Sequence, residues 1–126
     1  RETNPMWVSN VGSSDFERAL ESSLNRAGLL ATSRMGSRYT LTAHILKLDQ
    51  PLMGASLTVT ATVQYTLVER QSQRTVFDRP ISASYTAKWS DAFLGVERLK
   101  LANEGAAREN ISRLIDNLAS LPVEGR

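Results

Sequence analysis

Ala55-Ser56-Leu57-Thr58-Val59-Thr60-Ala61-Thr62-Val63-Gln64-Tyr65-Thr66-Leu67 is the stretch on which the fold turns. Its odd positions are apolar, and its even positions are Ser, Thr or Gln throughout. Side chains of an extended chain point alternately to opposite faces. A helix would scatter these apolar residues around its circumference instead of gathering them on one side. The run therefore predicts a long strand with one buried face and one polar face.

Working outward toward the N-terminus, Tyr39, Leu41, Ala43 and Ile45 share one face, while Thr40, Thr42 and His44 share the other. The alternation slips at Ile45-Leu46, which suggests a β-bulge. Residues 49–54 make a connection. On the C-terminal side, Glu69 to Arg74 is a polar hairpin link that leads into a third alternating segment, Thr75 to Trp89. There Phe77, Ile81, Ala83, Tyr85, Ala87 and Trp89 have one parity, and Ser82, Ser84, Thr86 and Lys88 the other. Pro80 has no amide hydrogen to give a ladder, so this strand belongs at a sheet edge or is bulged near Arg79.

The flanks change period. Met6 to Val11 has the composition of one short strand after a frayed, disordered terminus, residues 1–5. Ser14 and Glu17 have the spacing of a capping box. Phe16, Ala19, Leu20, Leu24 and Ala27 then recur at helical spacing, and Gly28 supplies the left-handed residue that ends helices. These signals predict a helix over Asp15–Ala27, followed by a polar loop from Ala31 to Arg38. Near the C-terminus Ile111, Leu114, Ile115, Leu118 and Leu121 form a second helical stripe, which Pro122 ends. Between Ala92 and Gly105 the period is blurred, and an irregular approach to that helix is expected.

The element order is β-α-β-β-β-α. It predicts a two-layer α+β domain over residues 1–126, a four-stranded mixed sheet with both helices packed on one face. At 126 residues and 13.9 kDa the chain has the size of one domain, which buries about two-thirds of its unfolded surface. No apolar run approaches the roughly 18 residues of a membrane span.

The composition excludes several chemistries. The net charge is +2 and only 6% of residues are aromatic, unlike the basic, aromatic-interleaved stripe of a nucleic-acid binder. With no Cys there is no disulfide, no thiolate nucleophile and no Cys-ligated metal. The single imidazole, His44, has no Asp or Glu within four residues, which disfavours a hydrolase or transferase built on it. Glu97, Glu104 and Glu109 alternate with Arg98, Lys100 and Arg108 in the manner of a solvated helix face. No Gly-rich loop joins a strand to a helix. No catalytic residue, metal site or cofactor is predicted, and the chain reads as a binding module without enzymatic activity.

Two surfaces are candidates for binding. Thr58, Thr60, Thr62, Gln64, Thr66, Ser82, Ser84 and Thr86 make a broad neutral face that a protein partner can cover without desolvating charge. A partner strand could instead pair with the edge beyond Pro80, from Ser82 to Lys88. Between Glu21 and Asp49, Arg26, Arg34, Arg38 and Lys47 occur with no acid. Of these, Arg26, Arg34 and Arg38 are a candidate anion-binding end.

Several segments resemble small Gram-negative envelope lipoproteins. They are Ser14-Asp15-Phe16-Glu17-Arg18-Ala19-Leu20, Ala27-Gly28-Leu29-Leu30, Tyr39-Thr40-Leu41 and Leu57 to Tyr65. The closing stretches Asp91 to Leu99 and Ala102 to Arg108 belong to the same pattern. The element order is similar to that of the lipopolysaccharide-assembly lipoproteins, with two helices on a four-stranded sheet. The resemblance implies a lipidated Cys upstream of Arg1, anchorage at the periplasmic face of the outer membrane, and non-enzymatic binding in outer-membrane assembly or lipopolysaccharide transport. It implies an envelope protein partner, such as a β-barrel or transporter component, and contact with lipopolysaccharide or anionic lipid. An auxiliary lipoprotein of a transporter or cell-wall synthase, or a self-assembling homo-oligomer, is the alternative on the same scaffold. The chain departs from the pattern in being less basic and in lacking long loops.

Overall fold

The computed structural model describes residues 6–9, 14–31, 37–50, 54–88, 90–92 and 94–120. Its elements are β1 (Met6–Ser9), α1 (Ser14–Arg26), β2 (Tyr39–Asp49), β3 (Ser56–Glu69), β4 (Arg74–Lys88) and α2 (Gly95–Ala119). β2, β3 and β4 form an antiparallel meander, and β1 runs parallel to β2, giving the sheet order β1-β2-β3-β4. A parallel neighbour needs a crossover, which α1 provides.

Every odd residue from Leu57 to Leu67 is buried, as the alternation requires. In β4, Phe77, Ile81, Ala83 and Ala87 are buried and Tyr85 is partly exposed. Both helices lie over this one face. Phe16, Leu20 and Leu24 of α1 meet Ile111, Leu114 and Leu118 of α2 above Tyr39, Leu41, Val63, Tyr65 and Leu67. α1 ends in a Schellman turn: the Leu29 amide donates to the Leu24 carbonyl (2.8 Å) and the Gly28 amide to Asn25 (3.0 Å), with Gly28 at φ +74°. That left-handed conformation is nearly free for glycine and costs other residues about 1 kcal/mol.

The structure corrects one expectation in the second helix. There is no irregular approach, because α2 is continuous from Gly95 to Ala119. Its first half seats on the sheet through Ala102 and Ala106, which pack with Val59, Ala61 and Ala87, and through the buried Gly105, which lies against Tyr85. Small residues carry little hydrophobic signal, so the stripe is real but faint in the sequence. The predicted stop at Leu121-Pro122 lies outside the described residues, as do Trp89, the terminus 1–5 and the side chain of the Ser14 cap. The irregularity between β3 and β4 lies between Leu67 and Val68, opposite Phe77 and Thr75, and not near Arg79.

Gly105 seats the Tyr85 ring: a Cβ there would overlap the ring carbons. Gly105→Ala should therefore lower the melting temperature even though alanine favours helix by about 1 kcal/mol. With Tyr85→Ser in the background the same change should raise it. Thermal melts of the four proteins close this cycle, and additive effects would refute the contact.

Candidate functional site

α1 covers only part of the sheet. Between it and the first half of α2 an open groove of about 1010 Å³ remains, at the upper end of the roughly 300–1,000 Å³ usual for ligand pockets. Its floor is Ala61 and Val63 of β3 with Ile45 and Leu48 of β2. Phe16 and Ala19 form one wall, and Val96, Leu99 and Ala107 the other.

The bulge in β2 makes this floor. The register with β3 steps from Ile45↔Val63 to Lys47↔Thr62, so Leu46 is skipped. Ile45 and Leu48, three positions apart, consequently both lie on the helix side, opposite Val63 and Ala61. Lys47 and Asp49 fall on the other face. The slip in alternation at Ile45-Leu46 is thus the trace of a groove floor.

The rim is charged. Arg26, Lys100 and Arg108 line it, with Asp15 and Glu104 as the acids. Asp15 is paired with Arg18, whereas no described acid forms an ion pair with the three cations. Arg26 donates to Ser22 Oγ at 3.0 Å on its own helix. Arg38 is elsewhere: its guanidinium is 3.8 Å from the Glu69 carboxylate and 5.4 Å from the centre of the Tyr39 ring. Arg34 lies outside the described residues. Of the two described members of the arginine cluster, Arg26 is at the groove and Arg38 is not; Arg26 is joined there by Lys100 and Arg108, whose sequence pattern suggests no more than a solvated face.

The eight residues of the neutral face do come together. Their hydroxyls pair across strands: Thr58 with Thr86 (2.7 Å), Thr60 with Ser84 (2.7 Å) and Thr62 with Ser82 (3.1 Å). Gln64 and Thr66 both donate to Asp78, at 2.6 and 3.0 Å, an acid on this face that the sequence pattern does not single out. His44 is exposed on the same side, opposite Gln64. No group of three or more His, Cys, Asp or Glu able to hold a metal occurs among the described residues.

The edge beyond Pro80 is less available than the sequence implies. Arg113 of α2 donates to the Ser82 carbonyl at 3.0 Å. Asp91 accepts from the Lys88 amide at 2.7 Å and returns its own amide to the Lys88 carbonyl at 2.8 Å. Backbone groups alternate along a strand, so only Ser84 and Thr86 keep free outward groups between these caps. A partner strand has too little ladder here.

One polar side chain is sunk in the core. Asn110 is fully buried, accepts from the Tyr65 hydroxyl (2.6 Å), and donates to the carbonyls of Ala61 (2.9 Å) and Ile81 (2.8 Å). Burial pushes the Tyr65 phenol above its ordinary value. These bonds fix α2 to β3 and β4 at one register, which supports the groove wall. In sequence Asn110 shows only as part of a glycosylation sequon within a helix.

No family model and no curated protein sequence matches the chain. Solved structures do. A Caulobacter crescentus protein described as a lipoprotein superposes with a TM-score of 0.64 at 15% identity, over 91% of this chain and 86% of its own. A Xanthomonas campestris protein gives 0.63 at 17% identity, over 80% of this chain and 57% of that one. A minor lipoprotein of Acinetobacter baumannii gives 0.54 at 16% identity, over 92% and 87%. Among the described residues no helix is long and apolar enough to cross a membrane. At these identities the likeness is one of fold: this chain shares the α+β architecture of these solved proteins, two of which are described as lipoproteins.

Proposed function

We propose that this chain is the periplasm-facing domain of an envelope lipoprotein that acts by binding, without catalysis, in outer-membrane assembly or lipopolysaccharide transport. The observation that carries this reading is the open apolar groove. Apolar surface left in water forfeits about 25 cal/mol per Å², and larger side chains on α1 would close the gap. The cations on its rim favour an amphiphile with an anionic head, lipopolysaccharide or an anionic lipid. The fold shared with solved lipoproteins supports the class, and a lipid anchor upstream of Arg1 would hold the domain at the inner surface of the outer membrane. A second reading has its own support: the neutral face of β3 and β4 is uncharged between Asp78 and Lys88, and bare of any described element. On that reading the domain is an auxiliary subunit docked on a transporter, a cell-wall synthase or a β-barrel.

Binding to lipopolysaccharide and to phosphatidylglycerol vesicles, measured by co-sedimentation, separates the two. Binding is expected for the native protein, weaker at high salt because exposed charges are screened beyond about 8 Å at physiological ionic strength. Lys100→Glu with Arg108→Glu should reduce it about tenfold, while Thr60→Lys, Thr62→Lys and Ser84→Lys together leave it unchanged. Normal binding by the groove variant would sink the first reading. In-envelope photocrosslinks lost only in the triple variant would establish the second.

A further inference from the structure

The far end of β2 is tied to α2 across the groove. The Gln50 side-chain amide donates to Asn103 Oδ1 at 2.9 Å, and both residues line the groove. Gln50 directly follows Asp49, which pairs with Thr60 of β3. Asn103 directly follows Ala102, which packs with Val59 and Ala61 of the same strand. The bond therefore crosses from the outer floor strand to the helical wall, beside the floor pair Leu48 and Ala61. Asn103 also stands near the middle of that wall: Val96, Leu99 and Lys100 precede it, and Glu104, Ala107 and Arg108 follow.

The groove has its volume of about 1010 Å³ with this bond in place, so an occupant fits beneath it and need not break it to stay. An acyl chain laid along the floor passes under the bond. It reaches that position by threading its whole length beneath, or by entering sideways while the bond is open. Gln50 is exposed, and rotation of its side chain alone opens the bond, a motion of picoseconds to nanoseconds. The sideways path is the shorter one, and its rate scales with the fraction of time for which the bond is open.

Building on the amphiphile-binding reading of the groove, we propose that Gln50 and Asn103 form a strap that gates lipid exchange. It opens for a chain to enter or leave sideways, and it is closed both over the empty groove and over the filled one.

The test follows pyrene-labelled phosphatidylglycerol by stopped-flow fluorescence, as it loads onto the protein and as it is released into an excess of unlabelled vesicles. Gln50→Ala and Asn103→Ala should each speed loading and release together by roughly two- to tenfold, the factor by which one neutral hydrogen bond favours the closed state. Kd should stay near that of wild type, since the strap is closed in both states. The double alanine variant should be no faster than either single one, because both changes remove the same bond. Gln50→Asn with Asn103→Gln keeps the combined length of the two side chains and should restore the native rates. Because the chain has no cysteine, Gln50→Cys with Asn103→Cys can be joined by a short bismaleimide, and this closed strap should slow exchange at least tenfold. Probe binding with native rates in the alanine and crosslinked proteins would show that chains thread, and would overturn the strap alone. Weaker binding at an unchanged loading rate would make the two side chains ligand contacts and would also overturn it. A native protein that binds no probe would remove the amphiphile reading, and the strap with it.

Discussion

Val59→Asp is expected to lower the melting temperature by roughly 10–20 °C, and Thr60→Asp by only a few degrees. Val59 is fully buried among Ala61, Ala87, Ala102 and Ala106, with Leu99 and Leu101 alongside. A carboxylate there finds no cation or donor within that apolar cluster, so it must either stay unpaired or unfold the seat of α2. Thr60 points to the opposite face, where substitution removes its hydrogen bond to Ser84. It also sets a carboxylate beside Asp49, the cross-strand neighbour, at a cost of about 1 kcal/mol or less. Thermal melts of the two variants decide the point: equal losses would invert the assignment of the two sheet faces.

Asn110→Ala should destabilise the fold by about 2–4 kcal/mol, combining an orphaned hydroxyl on Tyr65 with the space left behind. Tyr65→Phe should cost less, about 1–2 kcal/mol, since Asn110 keeps its two bonds to strand carbonyls. The double variant Asn110→Leu with Tyr65→Phe removes both partners and should lose less than the sum of the single changes. The pH dependence follows from the same burial. The folded state holds Tyr65 protonated above its ordinary value of 10.0, while the unfolded chain releases that proton at about 10. This contribution to stability is therefore complete below pH 10 and declines above it, by about 1.4 kcal/mol per pH unit. The deficit of Tyr65→Phe at neutral pH should narrow as pH rises from 10 to 12. Chemical denaturation at several pH values measures the gap, and a constant gap would refute this origin.

The strands were legible because alternation is a direct print of burial. The parity of Leu57 to Leu67 carries over unchanged into the buried face, and Gly28 marks the end of α1 by its left-handed backbone. The seat of α2 was not legible: Ala102, Gly105 and Ala106 are buried for closeness of approach, and residues chosen for lack of bulk leave almost no periodic signal. Asn110 escaped for the opposite reason, since a polar residue in an apolar stripe reads as an interruption until its partners on β3 and β4 are known. The groove could not be read either, because it is defined by what α1 fails to cover. Its one trace was the bulge at Ile45-Leu46, and its meaning required the register against β3. The arginines group by nearness in sequence, yet Arg38 is committed to Glu69 and Tyr39, and the cations that accompany Arg26 come from the far end of the chain.

The connectivity of the sheet also sets an order of assembly. β3 and β4 are joined by the tight turn Arg70–Gln73, where the Gln73 amide returns to the Glu69 carbonyl at 2.8 Å. Short closures lose little chain entropy, so this hairpin can form early and recruit β2 as its next neighbour. β1 is held by four residues of parallel pairing, and that pairing closes the long crossover containing α1, which costs more chain entropy than the hairpin. The N-terminal strand is then the last piece to join and the first to leave. In a protein held by its N-terminus, a pull along the chain would strip β1 away and uncover Tyr39–Thr42 of β2 while the meander and α2 stayed whole.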